Sequence, residues 1–150
     1  MLTYEQLKAD FERRVAELQR KCKHPKKSGW ITEYWAPFHP TGFEVRICKI
    51  CNKVVDRRTT CQRCGRVVRQ GDYVDGDGKT RPVGEYLCKS CEREWQRYLR
   101  RYLAEHPFVP RPVEVTVHIG EKTYKKRELL TKSDYCLEIY RRFMGRASCG

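Results

Sequence analysis

The sequence predicts several small α+β modules held together by metal ions rather than one large domain. The 150-residue chain is 39% hydrophobic and 34% charged, which leaves little apolar surface for a single extensive core. Its nine cysteines include several closely spaced ligand pairs, and small modules with little core are commonly stabilised by a metal ion. We expect four segments, which span residues 1–21, 22–60, 61–106 and 107–150.

Four two-ligand motifs follow one another through the middle of the chain. They are Cys22-x-His24, Cys48-x2-Cys51, Cys61-x2-Cys64 and Cys88-x2-Cys91. Residues 25–47 separate the first two motifs and residues 65–87 the last two, so both insertions contain 23 residues. Two such motifs together supply the tetrahedral set of ligands that Zn²⁺ prefers. The pattern predicts two structural zinc ions, one with three cysteines and a histidine and one with four cysteines.

Three pairings of these motifs are compatible with the sequence. The first joins consecutive motifs, the second joins alternate motifs in a cross-brace, and the third closes a single middle site across residues 52–60. The matched insertions favour the consecutive pairing. His24 is the preferred histidine ligand, and His39 is the alternative because His24 lies so close to Cys22 in the sequence.

The first segment has the pattern of an amphipathic helix over residues 3–21. Thr3 and Gln6 have the spacing of a capping box at its beginning. Apolar residues then recur on one face, at Leu7, Phe11, Val15 and Leu18. Cys22 continues this face, so we expect the helix to position the first metal ligand.

The second segment should contain strands on either side of its second metal motif. Residues 30–35 and 43–47 have strand composition, and Pro37, Pro40 and Gly42 indicate the turn between them. Residues 53–55 would return from the motif, and residues 57–60 would form a polar link to the next segment. Trp30 and Trp35 are expected to form the small core of this module.

The third segment combines a tight turn, short strands and a long helix. Gly65 directly follows the Cys61-x2-Cys64 motif, where it allows a sharp turn. Residues 67–68 and 86–87 are predicted strands, joined by a turn-rich hairpin around residues 75–78. After Cys91, Trp95 and Leu99 share one face of a helix that should end at Pro107.

Two of these segments resemble known zinc-binding folds. Cys61-x2-Cys64, followed by Tyr86-Leu87-Cys88-x2-Cys91 and a helix, resembles the treble-clef group, which includes GATA-type DNA-binding fingers. The loop between the two motifs is longer here than in GATA fingers. Residues 22–56 resemble small zinc ribbons that pair Cys-x-His with a later Cys-Lys-x-Cys motif. These resemblances imply a zinc ribbon followed by a treble-clef finger.

The fourth segment is predicted to be a β-hairpin followed by a helix. Residues 108–112 form an extended linker, and residues 114–119 and 122–125 alternate like paired strands around Gly120 and Glu121. Ser133 or Asp134 would cap the helix, and its apolar face comprises Leu137, Tyr140, Phe143 and Met144. Cys136 should be a buried thiol. Cys149 should be exposed.

The formal charge of +13 favours a polyanionic partner, of which nucleic acid is the commonest. The candidate contacts are Arg57, Arg58, Arg63, Arg66, Arg93, Arg97, Arg100, Arg101, Lys125, Lys126 and Arg127. We therefore expect a protein that binds DNA or RNA through a basic surface. The alternative is a zinc-stabilised adaptor for an acidic protein partner in a transcription or translation assembly, such as a polymerase or a ribosomal assembly.

The sequence argues against an enzyme. A zinc-stapled HNH nuclease needs histidines near its metal site, and none lies between Cys64 and Cys88. A zinc deaminase needs His-x-Glu ahead of Pro-Cys-x2-Cys, and neither part is present. We expect no small-molecule substrate and no membrane contact. The sequence begins without the pattern of a secretion signal, and its cysteines form close pairs. Together these features favour an intracellular, reducing location, in the cytoplasm, nucleoid or nucleus.

Overall fold

The computed structural model describes residues 1–146, so the expectation for Cys149 lies outside the described residues. The chain divides into two compact units. The first consists of Met1–Thr60 with Val67–Gly71, and the second of Cys61–Arg66 with the chain from Asp72 onward. Both units combine helices with antiparallel strands, which confirms the small α+β class. None of the helices in residues 1–146 is long and apolar enough to cross a membrane.

The first unit contains one helix and a four-stranded antiparallel sheet. Helix α1 spans Tyr4–Lys21, and its capping box joins Thr3 to Gln6 as predicted. The strands lie in the order β1-β2-β3-β4. They are β1 (Ile31–Ala36), β2 (His39–Ile47), β3 (Val54–Thr60) and β4 (Val67–Arg69). The sheet places the second metal motif at the end of β2.

Two predictions about the strands of this unit are wrong. Strand β2 begins at His39, so Pro40 and Gly42 lie inside a strand whose pairing with β1 is irregular. Residues 57–60 are not a link but part of β3, where they pair with β2 on one side and β4 on the other. Arginine suits this position because its aliphatic stem covers the sheet while its guanidinium reaches a carboxylate on another strand.

The apolar groups of the first unit are unevenly covered. Phe43 and Val45 are buried, whereas Trp35 is 73% exposed, so the prediction that it belongs to the core is wrong. Helix α1 buries none of its residues, and Phe11 on its apolar face is 67% exposed. Near its C-terminal end, the Gln19 side-chain amide donates to the carbonyl of Cys51 over 3.1 Å and so joins the helix to the rest of the unit.

The second unit contains two helices and two small sheets. Its elements are β5 (Tyr73–Val74), β6 (Leu87–Cys88), α2 (Lys89–Glu105), β7 (Pro112–Ile119), β8 (Lys122–Leu129) and α3 (Lys132–Gly145). The β7–β8 hairpin forms as predicted. Strand β6 pairs with β5, not with residues 67–68 as predicted, because those residues pair with β3. Helix α3 begins after Thr131, whose capping box with Asp134 displaces the predicted cap.

Packing between α2 and α3 supplies the core of the second unit. Trp95 is fully buried, and its ring lies 5.1 Å from Tyr140 and 5.4 Å from Phe143. Leu99 is buried on the same face of α2, as its spacing predicts. Cys136 is buried as predicted, and this burial raises the pKa of its thiol. The core fixes the direction of α2, which starts at a metal motif.

Candidate metal centres

The first candidate metal centre gathers four side chains from two stretches of the first unit. The sulfurs of Cys22, Cys48 and Cys51 and one ring nitrogen of His24 all lie within 4.8 Å of one another. The Cys22 and Cys48 sulfurs are 3.7 Å apart, and His24 Nδ1 is 3.3 Å from the Cys51 sulfur. Four soft donors at these separations can surround one metal ion.

Local backbone geometry brings these ligands together. Cys22 is the C-cap of α1, where the chain leaves the helix in an extended conformation. His24 has a positive φ of 54°, and its backbone N–H lies 3.4 Å from the Cys22 sulfur. The N–H of Ile50 approaches the Cys48 sulfur at the same distance. Such N–H groups stabilise a negative charge on sulfur.

The alternative histidine is not part of this group. His39 lies at the start of β2, and its ring is 5.0 Å from that of Trp35. The structure therefore brings His24, and not His39, to the three cysteines.

The second candidate centre has four cysteines. The sulfurs of Cys61, Cys64, Cys88 and Cys91 lie within 4.8 Å of one another, and the Cys64 and Cys88 sulfurs are 3.8 Å apart. Gly65, with a φ of 72°, donates to the Cys61 carbonyl over 2.9 Å and closes the turn of the first motif. Cys88 is the N-cap of α2, so this helix begins at its ligands.

The thiols in these groups do not titrate alike. Burial raises the pKa of Cys48, but N–H groups of Cys51 and Ile50 outweigh it and lower the pKa to about 6. The pKa of Cys61 is likewise lowered to about 7 by N–H groups that include that of Cys64, against the opposing effect of burial. Burial and neighbouring thiols raise the pKa of Cys91. A cation in each group would relieve this competition for negative charge.

The structure pairs consecutive motifs, with the first joined to the second and the third to the fourth. The cross-brace and the single middle site are not the arrangements found. No protein-family model matches this chain, and neither the curated proteins nor the solved structures contain a match. The two ligand groups and the charged surfaces around them are therefore the basis for assigning a function.

Several of the predicted basic contacts are already engaged with carboxylates. In the first unit, Arg57 pairs with Glu33 and Arg58 with Glu44, each over 2.6 Å. The guanidinium of Arg58 also lies 4.2 Å from the centre of the Trp30 ring. These two arginines therefore support the sheet.

Other predicted contacts in the second unit are paired more weakly. Lys125 pairs with Glu114 and Lys126 with Glu128, each over 2.9 Å on the exposed β7–β8 hairpin. Exposed pairs of this kind contribute little and exchange readily with solvent. Arg66 and Arg127 are exposed, and neither has an ion pair among residues 1–146.

Four arginines on α2 form an exposed group that we call the arginine stripe. Its members are Arg93, Arg97, Arg100 and Arg101. Their spacing places them on one side of the helix, away from the buried Trp95 and Leu99. None of them has a carboxylate partner in the described part of the chain. The stripe therefore presents guanidinium groups without carboxylate partners, on a helix whose first residue follows Cys88 of the second candidate centre.

Sequence reasoning missed Arg81, which is 1% exposed. Its guanidinium donates to the carbonyls of Val74 and Asp75 over 3.0 and 2.9 Å, and also to that of Glu85. It thereby closes the long loop between the two motifs of the second centre. An arginine in a polar loop gives no local signal that it will be buried.

Proposed function

We propose that each of the two ligand groups binds one zinc ion. Zinc–sulfur bonds of about 2.3 Å in a tetrahedron place two sulfurs about 3.8 Å apart. The measured separations of 3.7 Å in the first group and 3.8 Å in the second agree with that value. Cysteine and histidine are also the usual ligands of structural zinc. Because four side chains complete each set, we propose structural rather than catalytic zinc, and no enzymatic activity.

We further propose that the second centre is a treble-clef finger and the first a zinc ribbon. Three features support the treble clef: the turn closed by Gly65, the β5–β6 pairing, and a helix that begins at Cys88. The loop between the two cysteine motifs is longer than in GATA fingers, and Arg81 holds the extra length against the unit. In the first centre, the Cys48-x2-Cys51 turn at the end of β2 supports the ribbon.

The function that we propose for the chain is nucleic-acid binding. The arginine stripe carries this proposal, because its four guanidinium groups are exposed and have no carboxylate partners among residues 1–146. A planar guanidinium donates two parallel hydrogen bonds to a phosphate, which makes arginine well suited to a nucleic-acid backbone. The start of the helix at a metal centre would hold these groups in fixed directions. Phosphate contacts would supply most of the affinity.

Binding at different salt concentrations tests this function. The zinc-loaded full chain would be titrated into labelled single-stranded DNA, duplex DNA and RNA of matched length, with fluorescence anisotropy as the readout. We expect saturable binding to at least one of them that weakens steeply with added salt, because bound phosphates release counterions. Binding to none of the three at low salt would refute the proposal.

A second candidate function is an adaptor for an acidic protein partner. The apolar face of α1 favours it, because Leu7 is 54% and Phe11 67% exposed with no cover within the described chain. Nuclease treatment of a lysate separates the two functions. A complex captured through nucleic acid would be lost on digestion, whereas a direct protein complex would survive both digestion and moderate salt.

A further inference from the structure

A cleft of about 480 Å³ opens beside α2 in the second unit, and arginines dominate its lining. Arg97 and Arg101 come from the arginine stripe, Arg63 from the turn of the second centre, and Arg146 from the end of α3. Glu94 is the one carboxylate among the lining residues. Sequence reasoning did not include Arg146.

Two aromatic rings hold two of these guanidinium groups in place. Arg63 lies over the Phe143 ring, 3.5 Å from its centre, and donates to the Phe143 carbonyl over 3.1 Å. Arg146 lies 4.9 Å from the centre of the Tyr98 ring. The two rings are themselves 5.4 Å apart. Stacking of this kind orients a guanidinium and leaves its edge free for hydrogen bonds.

Arg63 has unused hydrogen-bonding capacity at this site. Its side chain is only 11% exposed, yet its buried Nε has no hydrogen-bond partner. The nearest carboxylate oxygen, on Glu94, is 3.6 Å away, which is too far for a good hydrogen bond. A charged group so placed costs stability unless a partner compensates it.

The charge in the cleft is also unbalanced. Four arginines face one glutamate, whereas Arg57, Arg58 and Arg81 elsewhere in the chain each have their own carboxylate. Converging positive charges repel one another more strongly in a partly enclosed space than in water. An anion with several acceptor oxygens would relieve this repulsion.

We infer that this cleft is a phosphate-binding site. The inference rests on the proposed function for its biological source, since the phosphate would come from the backbone of a bound nucleic acid. The same chemistry would accept a free pyrophosphate. Arg93 and Arg100 belong to the stripe but line a neighbouring surface beside Ser90 and Gln96, and only Arg97 lines both. Their position provides a comparison with equal charge.

Two charge-matched double variants test the site. Arg101→Gln with Arg146→Gln removes two exposed arginines from the cleft, and Arg93→Gln with Arg100→Gln removes two exposed arginines outside it. Pyrophosphate would be titrated calorimetrically into each zinc-loaded full chain at constant salt. We expect one saturable site, weakened about tenfold or more by the cleft variant and less than about threefold by the other. Absence of saturable binding, or equal losses in the two variants, would overturn the inference.

The same proteins titrated with a single-stranded oligonucleotide separate this inference from the proposed function. We expect the cleft variant to lose more affinity than its charge-matched counterpart, and pyrophosphate to compete with the oligonucleotide. If the protein bound pyrophosphate but bound no nucleic acid, the proposed function would be refuted and the cleft would remain a site for a free phosphate compound. If both variants weakened oligonucleotide binding equally, the proposed function would stand, but the cleft would not be the phosphate-binding site.

Discussion

Arg81 and Glu92 form an ion pair in which Nη2 and Oε2 are 2.7 Å apart, with only 2% and 17% of their side chains exposed. Arg81 belongs to the loop that precedes β6, and Glu92 lies in the first turn of α2, next to Cys91. Because Arg81 also donates to the carbonyls of Val74, Asp75 and Glu85, the pair joins the loop to the helix that begins after Cys88 and contains Cys91.

Glu92→Gln should therefore destabilise the second unit. Loss of one partner leaves the other charge buried without compensation, and we expect the free energy of unfolding to fall by about 3 kcal/mol. Urea unfolding of the zinc-loaded protein, followed by tryptophan fluorescence, measures this change because Trp95 is fully buried nearby. Glu138→Gln is the matched control on exposed α3 surface, and it should cost less than about 0.5 kcal/mol. Equal stability of the two variants would mean that the ion pair contributes nothing.

Individual cysteines should differ in their effect on metal content. We expect two zinc ions per chain by elemental analysis, and one after Cys88→Ser, because this change removes a ligand at the beginning of α2. The variant should also lose helicity by circular dichroism. Cys136→Ser and Cys149→Ser should each retain both ions. Loss of zinc in either of these controls would show that the ligand assignment is wrong.

The two candidate histidines allow a paired test of the first centre. His24→Ala should weaken zinc binding at that centre strongly, because His24 Nδ1 lies 3.3 Å from the Cys51 sulfur within the ligand group. His39→Ala should leave zinc binding unchanged, because its ring contacts Trp35 instead. Competition with a chromogenic chelator measures both. A larger effect of His39→Ala would reverse the assignment.

Zinc retention should fall as the pH decreases. The pKa values of Cys48 and Cys61 are lowered from 9.0 to about 6 and about 7. A lowered pKa means that the thiolate form stabilises the fold above the unfolded pKa and that this stabilisation is lost as the pH falls through the folded value. Protons also compete directly with zinc for all the thiolates. Zinc transfer to a chelator that is insensitive to pH should therefore increase between about pH 7 and about pH 5, and constant transfer would contradict thiolate ligation.

The features that the sequence predicts well are those encoded locally. Short turns bring Cys22 close to His24 and Cys48 close to Cys51, so each ligand pair follows from its spacing in the sequence. Helix α1 follows from its capping box, and the β7–β8 hairpin from the alternation on both sides of Gly120. In each of these cases the deciding contacts are close together in the sequence.

The features that the sequence does not predict depend on distant partners. Residues 67–69 have strand composition, but only the fold determines that they pair with β3 rather than with β6. Trp35 is an aromatic residue in a strand yet remains 73% exposed, with its ring beside that of His39. The burial of Arg81 depends on three carbonyls and a glutamate that come together only in the folded unit.

The last prediction concerns the arginine stripe. Replacement of Arg97, Arg100 and Arg101 with Ala should weaken nucleic-acid binding while leaving zinc content and helicity intact, because all three side chains are exposed. If each makes one phosphate contact with duplex DNA, the slope of log affinity against log salt should flatten by about 0.9 per residue. Glu92 pairs with Arg81, whereas Glu94 lines the cleft beside Arg97 and Arg101 and offsets part of their charge.

A triple variant of the hairpin provides the control for the stripe. This variant changes Lys125, Lys126 and Arg127 on β8 to Ala and so removes the same charge. Two of these three residues already have carboxylate partners. We expect this variant to have the smaller effect on both affinity and slope. If the slope of log affinity against log salt were unchanged in the stripe variant but flattened in the hairpin variant, the binding surface would lie on β8. Since both variants lower the net charge by three, the comparison separates a located surface from a general electrostatic attraction.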